Sequence, residues 1–182
     1  MTIYEALKKD HEEVRGMLNQ LINMGETEKV EKRRALIGKI RDALVPHSRA
    51  EETVFYNTIR EADKTGKLIA HGYQEHIAAE ALLRTLQMAG TIDAGWQATA
   101  KKLKAELEHH ISEEEGQIFS AAKQIFTTEE AEMMGEAFEK LKPEIKEEGM
   151  MATTTELIAN MMPARFSKAF RSYNLESRIG KQ

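Results

Sequence analysis

Apolar residues recur every three or four positions along four segments of the chain, the spacing that predicts amphipathic helices. The segments cover about residues 4–21, 37–62, 68–88 and 96–125, and short breaks near 25–27, 63–66 and 90–95 separate them. Pro46 lies inside the second segment and predicts a kink or an irregular turn there. Short connections make consecutive helices antiparallel neighbours, so residues 1–125 are predicted to form an all-α, up-down-up-down four-helix bundle.

Residues 126–182 are predicted to form a helical extension and a tail. The run Thr127-Thr128-Glu129-Glu130 has the form of a capping box and predicts a fifth helix that ends before Pro143. A second such run, at residues 153–156, predicts a short sixth helix that stops near Pro163.

The last residues form a basic tail with aromatic residues at helical spacing. This tail either packs on the bundle or binds a protein partner, an acidic surface or a second copy of the chain, as in a homodimer. Its residues are Arg165, Phe166, Lys168, Phe170, Arg171, Tyr173, Arg178 and Lys181.

Composition narrows the possible chemistry and location. The chain has no cysteine, which excludes disulfides, zinc–thiolate sites, iron–sulfur clusters and cysteine nucleophiles. Its formal net charge of −4 gives no general reason to expect nucleic-acid binding. The N-terminus lacks the apolar segment of a signal peptide, and no apolar run is long enough to span a membrane, so we expect a cytoplasmic protein.

Each of the four predicted bundle helices carries one histidine on its apolar face. On the second and fourth helices a glutamate follows four residues later, and residues four apart lie on one face. The pattern is an internal repeat, because the first two histidines are 36 residues apart and the last two are 34 apart. The six candidate ligands are His11, His47, Glu51, His76, His110 and Glu114.

The adjacent histidines 109 and 110 are distinguished by their own helical faces. Leu107 lies three residues before His110, whereas Glu106 lies three residues before His109. His110 is therefore the predicted ligand, and His109 is predicted to face solvent.

Six polar groups at one depth of a core need partners, because each unpaired buried group costs about 1–3 kcal/mol. They either hydrogen-bond to one another or bind metal, and the repeated spacing favours metal. Six ligands exceed the needs of one tetrahedral zinc ion. Two carboxylates can bridge two ions and leave two histidines for each, an arrangement that favours a dinuclear iron site.

At these residues the chain resembles the hemerythrin-like, HHE cation-binding family over about residues 1–125. The resemblance implies an oxo- or hydroxo-bridged pair of iron ions (Fe2+/Fe3+) that binds or reacts with oxygen, nitric oxide or peroxide. Oxygen carriers of this family have a fifth histidine where this chain has Gly72, and His71 lies about 140° away around the helix. They also bridge with an aspartate five residues after the last histidine, whereas Glu114 follows at four. The resemblance therefore implies a symmetric bacterial or mycobacterial-type member that decomposes peroxide rather than carrying oxygen.

Two tyrosines are candidates for the position that Gly72 leaves free. Tyr4 lies seven residues before His11, and Tyr73 lies three before His76. Each is either a core residue or a phenolate ligand. Glu52 and Glu115 are either solvated or accept a hydrogen bond from a ligand histidine. The predicted apolar lining consists of Leu44, Phe55, Leu107 and Phe119.

Three functions remain open from the sequence. The chain is an enzyme that acts on peroxide, a binding module for oxygen, nitric oxide or iron, or a regulator whose tail responds to the state of the iron.

Overall fold

A computed structural model describes residues 1–25, 27–62 and 66–148 of the chain. Within these ranges the chain is helical and contains no strand, and none of the helices is long and apolar enough to cross a membrane. The predicted sixth helix, the basic tail and the break at 63–65 lie outside the described residues. The helices are α1 (Ile3–Ile22), α2 (Val30–Glu51), α3 (Asn57–Ala62), α4 (Gly66–Met88), α5 (Ala94–Glu113), α6 (Phe119–Ile125) and α7 (Thr128–Glu148).

The helices form the predicted four-helix bundle. A π-helical turn, Glu52–Tyr56, joins α2 to α3, and a second, Glu114–Ile118, joins α5 to α6, so that each pair forms one long helical rod. Around the bundle α1 packs on α2, α2 on α4, α4 on α5 and α5 on α1. Since consecutive rods are neighbours with short connections, the up-down-up-down architecture is confirmed.

The first hairpin has the longest described connection, residues 23–29 between α1 and α2. The start of α2 is stabilised by a buried arginine. Arg33 donates hydrogen bonds to the carbonyl oxygens of Ala89 and Gly90, each at 3.1 Å, in the turn before α5.

The helix predicted after the bundle is α7, which begins as predicted and ends later than predicted. Thr127 accepts a hydrogen bond from the main-chain N–H of Glu130 at 3.2 Å and donates its own N–H to that side chain at 2.9 Å, which confirms the capping box. The predicted end before Pro143 is wrong, because α7 continues to Glu148. Leu141 and Ile145 are buried on either side of Pro143, and their packing offsets the main-chain hydrogen bond that proline cannot make.

Pro46 is likewise accommodated inside an α-helix, since α2 runs unbroken to Glu51. The predicted irregularity of this rod occurs instead at the π-helical turn that begins at Glu52. The disruption therefore lies just beyond His47 and Glu51, next to the candidate ligands, and not before them.

Helix α7 packs on α1 and α2, outside the four-helix arrangement. Gly135 permits close contact with the N-terminus, because a Cβ atom at this position would overlap the main chain at Met1 and Thr2. Met134 and Phe138, on the same helix, are fully buried. The helix therefore shares the hydrophobic core with the bundle.

A polar layer divides the core into two apolar clusters. On α1, Leu7 belongs to one cluster and Val14 to the other, and His11 lies between them. On the fourth rod Leu107 and Ile118 belong to different clusters, and His110 lies between them. The fold thus places the histidines in the middle of the bundle, away from both ends.

Candidate metal centre

Each His-x-x-x-Glu pair lies where an α-helix meets a π-helical turn, with Glu51 as the last residue before the first turn and Glu114 as the first residue of the second. Glu51 is the last residue of α2, and the N–H of Asn57 reaches back five residues to the carbonyl of Glu52. The second pair is arranged similarly, with the N–H of Phe119 bonded to the carbonyl of Glu114. Such turns are rare and occur frequently at functional sites. The sequence predicted the pairs but not the π-helical turns.

Two histidines of the second hairpin and one glutamate of the first converge in the core. The Nε2 atoms of His76 and His110 are 3.1 Å apart, and Glu51 Oε2 lies 3.4 Å from His76 Nε2. One potential ligand atom from each of the three lies within 4.8 Å of the other two, and all three residues are buried. This is the spacing of atoms arranged around a common ion.

In the first hairpin, His11 and His47 lie side by side, with ring centroids 5.2 Å apart. His11 Nε2 is 3.2 Å from Glu114 Oε2, and His47 Nε2 is 3.5 Å from Glu51 Oε2. Glu51 thus lies near a histidine of each hairpin. Glu114 does too, since its Oε2 is also 4.0 Å from His110 Nε2. Each carboxylate stands between the hairpins, near one histidine from each.

The outward nitrogen of every candidate histidine is hydrogen-bonded to a carboxylate on a neighbouring rod. A carboxylate is only an acceptor, so each Nδ1 carries the proton and each Nε2 presents a lone pair to the centre. The four bonds link the rods in a closed ring, from the first to the second, third, fourth and back to the first. They are His47 to Asp10 at 3.1 Å, His76 to Glu52 at 2.9 Å, His110 to Glu75 at 2.9 Å and His11 to Glu115 at 2.9 Å.

Of these acceptors, Glu52 and Glu115 were candidates from the sequence, whereas Asp10 and Glu75 were not. A signal was present, because an acidic residue directly precedes the histidine in both hairpins, as Asp10-His11 and Glu75-His76. That residue supports the histidine of the next rod and not its own neighbour, which a single helical wheel cannot reveal.

The buried carboxyls and imidazoles perturb one another strongly without an ion. Burial raises the pKa of Glu51 well above its usual range, and the nearby Glu114 raises it further. Burial acts the same way on Glu114, but the polar hydrogens that the Glu51 carboxyl and the His11 imidazole can direct at it outweigh burial and lower the pKa of Glu114. Although burial opposes it, Glu114 and Glu115 raise the pKa of His11 to about 9, whereas burial lowers that of His47 to about 4. The charges of these buried carboxyls and imidazoles therefore depend on one another.

These groups remain short of hydrogen bonds even so. His11 Nε2, both carboxyl oxygens of Glu51 and both of Glu114 are buried without a hydrogen-bond partner. Buried polar groups are nearly always paired in native proteins, so the unpaired atoms point to a missing partner. Imidazole nitrogens and carboxylate oxygens together suit a first-row transition metal.

Neither predicted tyrosine occupies the position beside Gly72. The Tyr73 hydroxyl donates to Asn57 Oδ1 at 3.0 Å, which directs it away from the centre. The Tyr4 ring packs against Phe55 and Phe119, with centroids 6.0 and 5.2 Å away, and burial raises its pKa to about 12. In this structure both are core tyrosines.

The ring of Tyr56 occupies the space beside Gly72 instead. Its ring stacks on His76 with centroids 5.7 Å apart and an interplanar angle of 2°. A Cβ atom added to Gly72 would lie 2.7 Å from the Tyr56 hydroxyl oxygen, so only glycine leaves room for this ring. The hydroxyl is buried without a hydrogen-bond partner. Sequence reasoning missed Tyr56, because a π-helical turn separates it from His47 and changes the face it occupies.

A cavity of about 10 Å3 lies among the four histidines, with room for about one water molecule. Leu44 and Leu107 contribute to its apolar walls as predicted, together with Val14 and Ile111. Phe55 and Phe119 lie in the apolar cluster with Tyr4. The two remaining histidines of the chain, His71 and His109, are exposed and do not reach the buried centre.

Comparison with known proteins gives three similarities. A sequence profile of the hemerythrin HHE cation-binding domain matches residues 2–122. The crystal structure of a hemerythrin HHE cation-binding domain-containing protein from Mycobacterium kansasii has a similar fold, with a TM-score of 0.65 and 24% identity over 87% of this chain and 98% of that one. A protein from Nostoc sp. named as a DNA nickase is 22% identical over 147 residues, which are 81% of this chain but 41% of the relative. The chain thus spans less than half of that relative's length.

Proposed function

Because the chain belongs to the hemerythrin HHE cation-binding domain family, we propose that its buried centre holds two non-haem iron ions and decomposes peroxide. His11 and His47 would hold one ion and His76 and His110 the other, with Glu51 and Glu114 as carboxylate ligands between the hairpins. Support comes from the distances of 3.4 and 3.5 Å that join Glu51 to His76 and His47, in different hairpins. Glu114 makes the corresponding approaches to His11 and His110.

The mixture of ligands supports iron over zinc or copper. Four imidazoles alone would suit several metals, but the two buried carboxylates favour a harder ion. Bound iron would supply Lewis acidity and the electrons for reaction with a small oxidant. The rest of the reaction depends on side chains of the chain itself, which bind and orient the small oxidant and exclude larger molecules.

The observation that carries the proposal of peroxide turnover is the Tyr56 ring over Gly72. A neutral imidazole at this position would favour the ferrous state that reversible oxygen binding requires, and Gly72 removes it. In its place the Tyr56 hydroxyl lies buried beside His76 with no protein partner. It is free to donate a hydrogen bond to a ligand in the centre and to return a proton to it, as disproportionation of peroxide to oxygen and water requires.

The surroundings of the centre restrict what can react. The cavity of about 10 Å3 has apolar walls and room for about one water molecule, so it excludes organic substrates. The carboxylate bonds to Nδ1 hold all four imidazoles with Nε2 inward. Pre-oriented ligands of this kind hold a metal site in one geometry through changes of its oxidation state.

The test is to reduce the iron-loaded protein anaerobically and to add oxygen, nitric oxide and peroxide separately, with optical detection. We expect catalytic evolution of oxygen from peroxide. Tyr56→Phe should keep its iron and lose at least about tenfold in turnover, the lower end of the range for a positioned proton donor. Tyr73→Phe is the matched control and should stay near the wild-type rate. Equal rates in both variants would refute the role of Tyr56.

A second candidate function is a binding or sensing module for oxygen, nitric oxide or iron without turnover. The contact between α7 and the centre favours it. The Phe138 ring meets the edge of His47 at 5.5 Å and 90°, and Lys142 binds Asp10, the acceptor of His47. A change in the position of the His47 ring would therefore move residues of α7 that contact it or its acceptor. A stoichiometric adduct with no oxygen evolution would support this function over the enzyme.

A further inference from the structure

The two histidines that the buried centre does not use form a cluster of their own with two glutamates. His71 precedes Glu75 by four residues on α4, and His109 precedes Glu113 by four residues on the facing helix α5. We propose that these four side chains bind an additional divalent first-row transition-metal ion at the surface, directly outside the buried centre. The proposal does not depend on which reaction the buried centre performs.

The distances within this outer cluster fit a single ion. His71 Nε2 lies 3.4 Å from Glu75 Oε1 and 3.6 Å from Glu113 Oε2. His109 Nε2 lies 3.9 Å from Glu75 Oε1 and 3.7 Å from Glu113 Oε1. One potential ligand atom from each residue lies within 4.8 Å of all the others. Ligand atoms about 2.1 Å from a tetrahedral ion are separated by about 3.4 Å, so only a small inward movement is needed.

Direct hydrogen bonds explain this arrangement less well. A histidine paired with a carboxylate normally stands 2.7–3.2 Å from it, as the four bonds of the buried centre do. In the outer cluster the four separations are 3.4–3.9 Å, and each histidine lies between two carboxylates. The imidazole nitrogens and carboxylate oxygens are therefore too far apart for good hydrogen bonds, but their spacing suits a shared ion. Two imidazoles and two carboxylates form a site of the zinc, ferrous iron or cobalt type.

The internal repeat supplies an independent reason to expect a cation there. Asp10 in the first hairpin corresponds to Glu75 in the second, and each accepts the Nδ1 proton of a buried histidine. Asp10 also binds a cation on its outer side, the Lys142 ammonium, at 2.8 and 2.9 Å. The other oxygen of Glu75 faces His71 and His109. A metal ion in the outer cluster would take the place that the lysine takes beside Asp10.

Glu75 connects the outer cluster to the buried centre. Its Oε2 accepts the Nδ1 proton of His110 at 2.9 Å, while its Oε1 belongs to the outer cluster. A cation at the outer cluster would draw electron density from Glu75 and weaken its hydrogen bond to His110. The buried centre should therefore report on occupation of the outer cluster through its optical spectrum.

The experiment uses the full chain loaded with iron and titrated with Zn2+ by calorimetry, with metal analysis before and after. We expect one Zn2+ per chain to bind without loss of iron, with a shift of the iron absorption bands. His71→Ala and His109→Ala should each weaken Zn2+ binding at least about tenfold, the scale reached even by residues that only support ligands. Both residues are more than half exposed, so the variants should fold.

Carboxylate variants on one helix provide the matched control. Glu113→Gln should weaken Zn2+ binding as the histidine variants do, whereas Glu106→Gln, exposed on the same helix, should not. Zn2+ binding that is unchanged in the His71→Ala/His109→Ala double variant would overturn the proposal. Zn2+ uptake matched by an equal loss of iron would also overturn it.

Discussion

Replacement of Glu51 by methionine should make the ion-free protein more stable and the metal-loaded protein less so. Both carboxyl oxygens of Glu51 are buried without a hydrogen bond, and the side chain is fully inaccessible. Burial also raises the pKa of this carboxyl, because its charged form is poorly solvated in the core. A buried unsatisfied group costs about 1–3 kcal/mol, and methionine of similar length fills the same space without that penalty.

The expected gain in the free energy of unfolding of the ion-free protein is about 1–3 kcal/mol. In a chain of this size each kcal/mol shifts the melting temperature by about 2–4 °C. The variant has lost a bridging ligand, so iron should no longer stabilise it. Wild-type protein should behave in the opposite way, because ions bind only the folded state and raise its melting temperature.

The neighbouring Glu52 provides the control. Its carboxylate accepts the Nδ1 proton of His76 at 2.9 Å and pairs with Arg49 at 3.1 Å. Glu52→Met leaves both donors without that partner and should lower the stability of the ion-free protein by about 1–3 kcal/mol. Thermal unfolding followed by circular dichroism, with chelator and with iron, measures both variants. If Glu51→Met also destabilises the ion-free protein, the carboxyl is already satisfied and the inference of a metal from unpaired atoms fails.

Four further outcomes are expected. Metal analysis should find about two iron ions in the wild-type chain. Most of this iron should be lost in His47→Ala and retained in His109→Ala, and one zinc ion per chain from iron-replete cells would contradict the expectation. Gly72→Ala should displace the Tyr56 ring, lower the melting temperature and reduce peroxide turnover while the iron content stays near two. Lys142→Met should lower iron affinity up to about tenfold, as equilibrium competition with a chelator would show, with Lys140→Met unchanged. Reduced protein exposed to oxygen should end oxidised, and a long-lived adduct that reverts under argon over several cycles would argue for a carrier.

The bundle and the six candidate ligands could be predicted because they depend on local spacing. Helical periodicity fixes the face on which His110 lies and separates it from His109, and the i,i+4 rule places Glu114 beside it. The repeat of 36 and 34 residues then implies that the two hairpins carry equivalent sets. None of these steps requires knowledge of how the helices are rotated against one another.

The side chains that support the ligands depend on that rotation and could not be assigned. Asp10 supports His47 on the next rod, and Tyr56 reaches Gly72 across the bundle. In both cases the partner lies on another helix, at a height set by the connections and the π-helical turns. The same limit explains why Tyr73, well placed on its own helix, is turned toward Asn57.

The structure also shows where the repeat is broken, and that break bears on where reaction occurs. Tyr56 follows Glu51 by five residues, and the residue five after Glu114 is Phe119. Gly72 precedes His76 by four residues, and the residue four before His11 is Leu7, buried in the apolar cluster.

Of these equivalent positions, only those of the second half combine a hydroxyl with a glycine. In the first half, Phe138 covers His47 and Lys142 neutralises its carboxylate partner. In the second half, the unpaired Tyr56 hydroxyl lies against His76, and the exposed cluster around Glu75 lies behind His110. Two ions held by equivalent histidines would thus have unlike surroundings. The Tyr56 hydroxyl is an unpaired donor on a ring that stacks on a candidate ligand, so we expect a small oxidant that needs a proton donor to react beside His76.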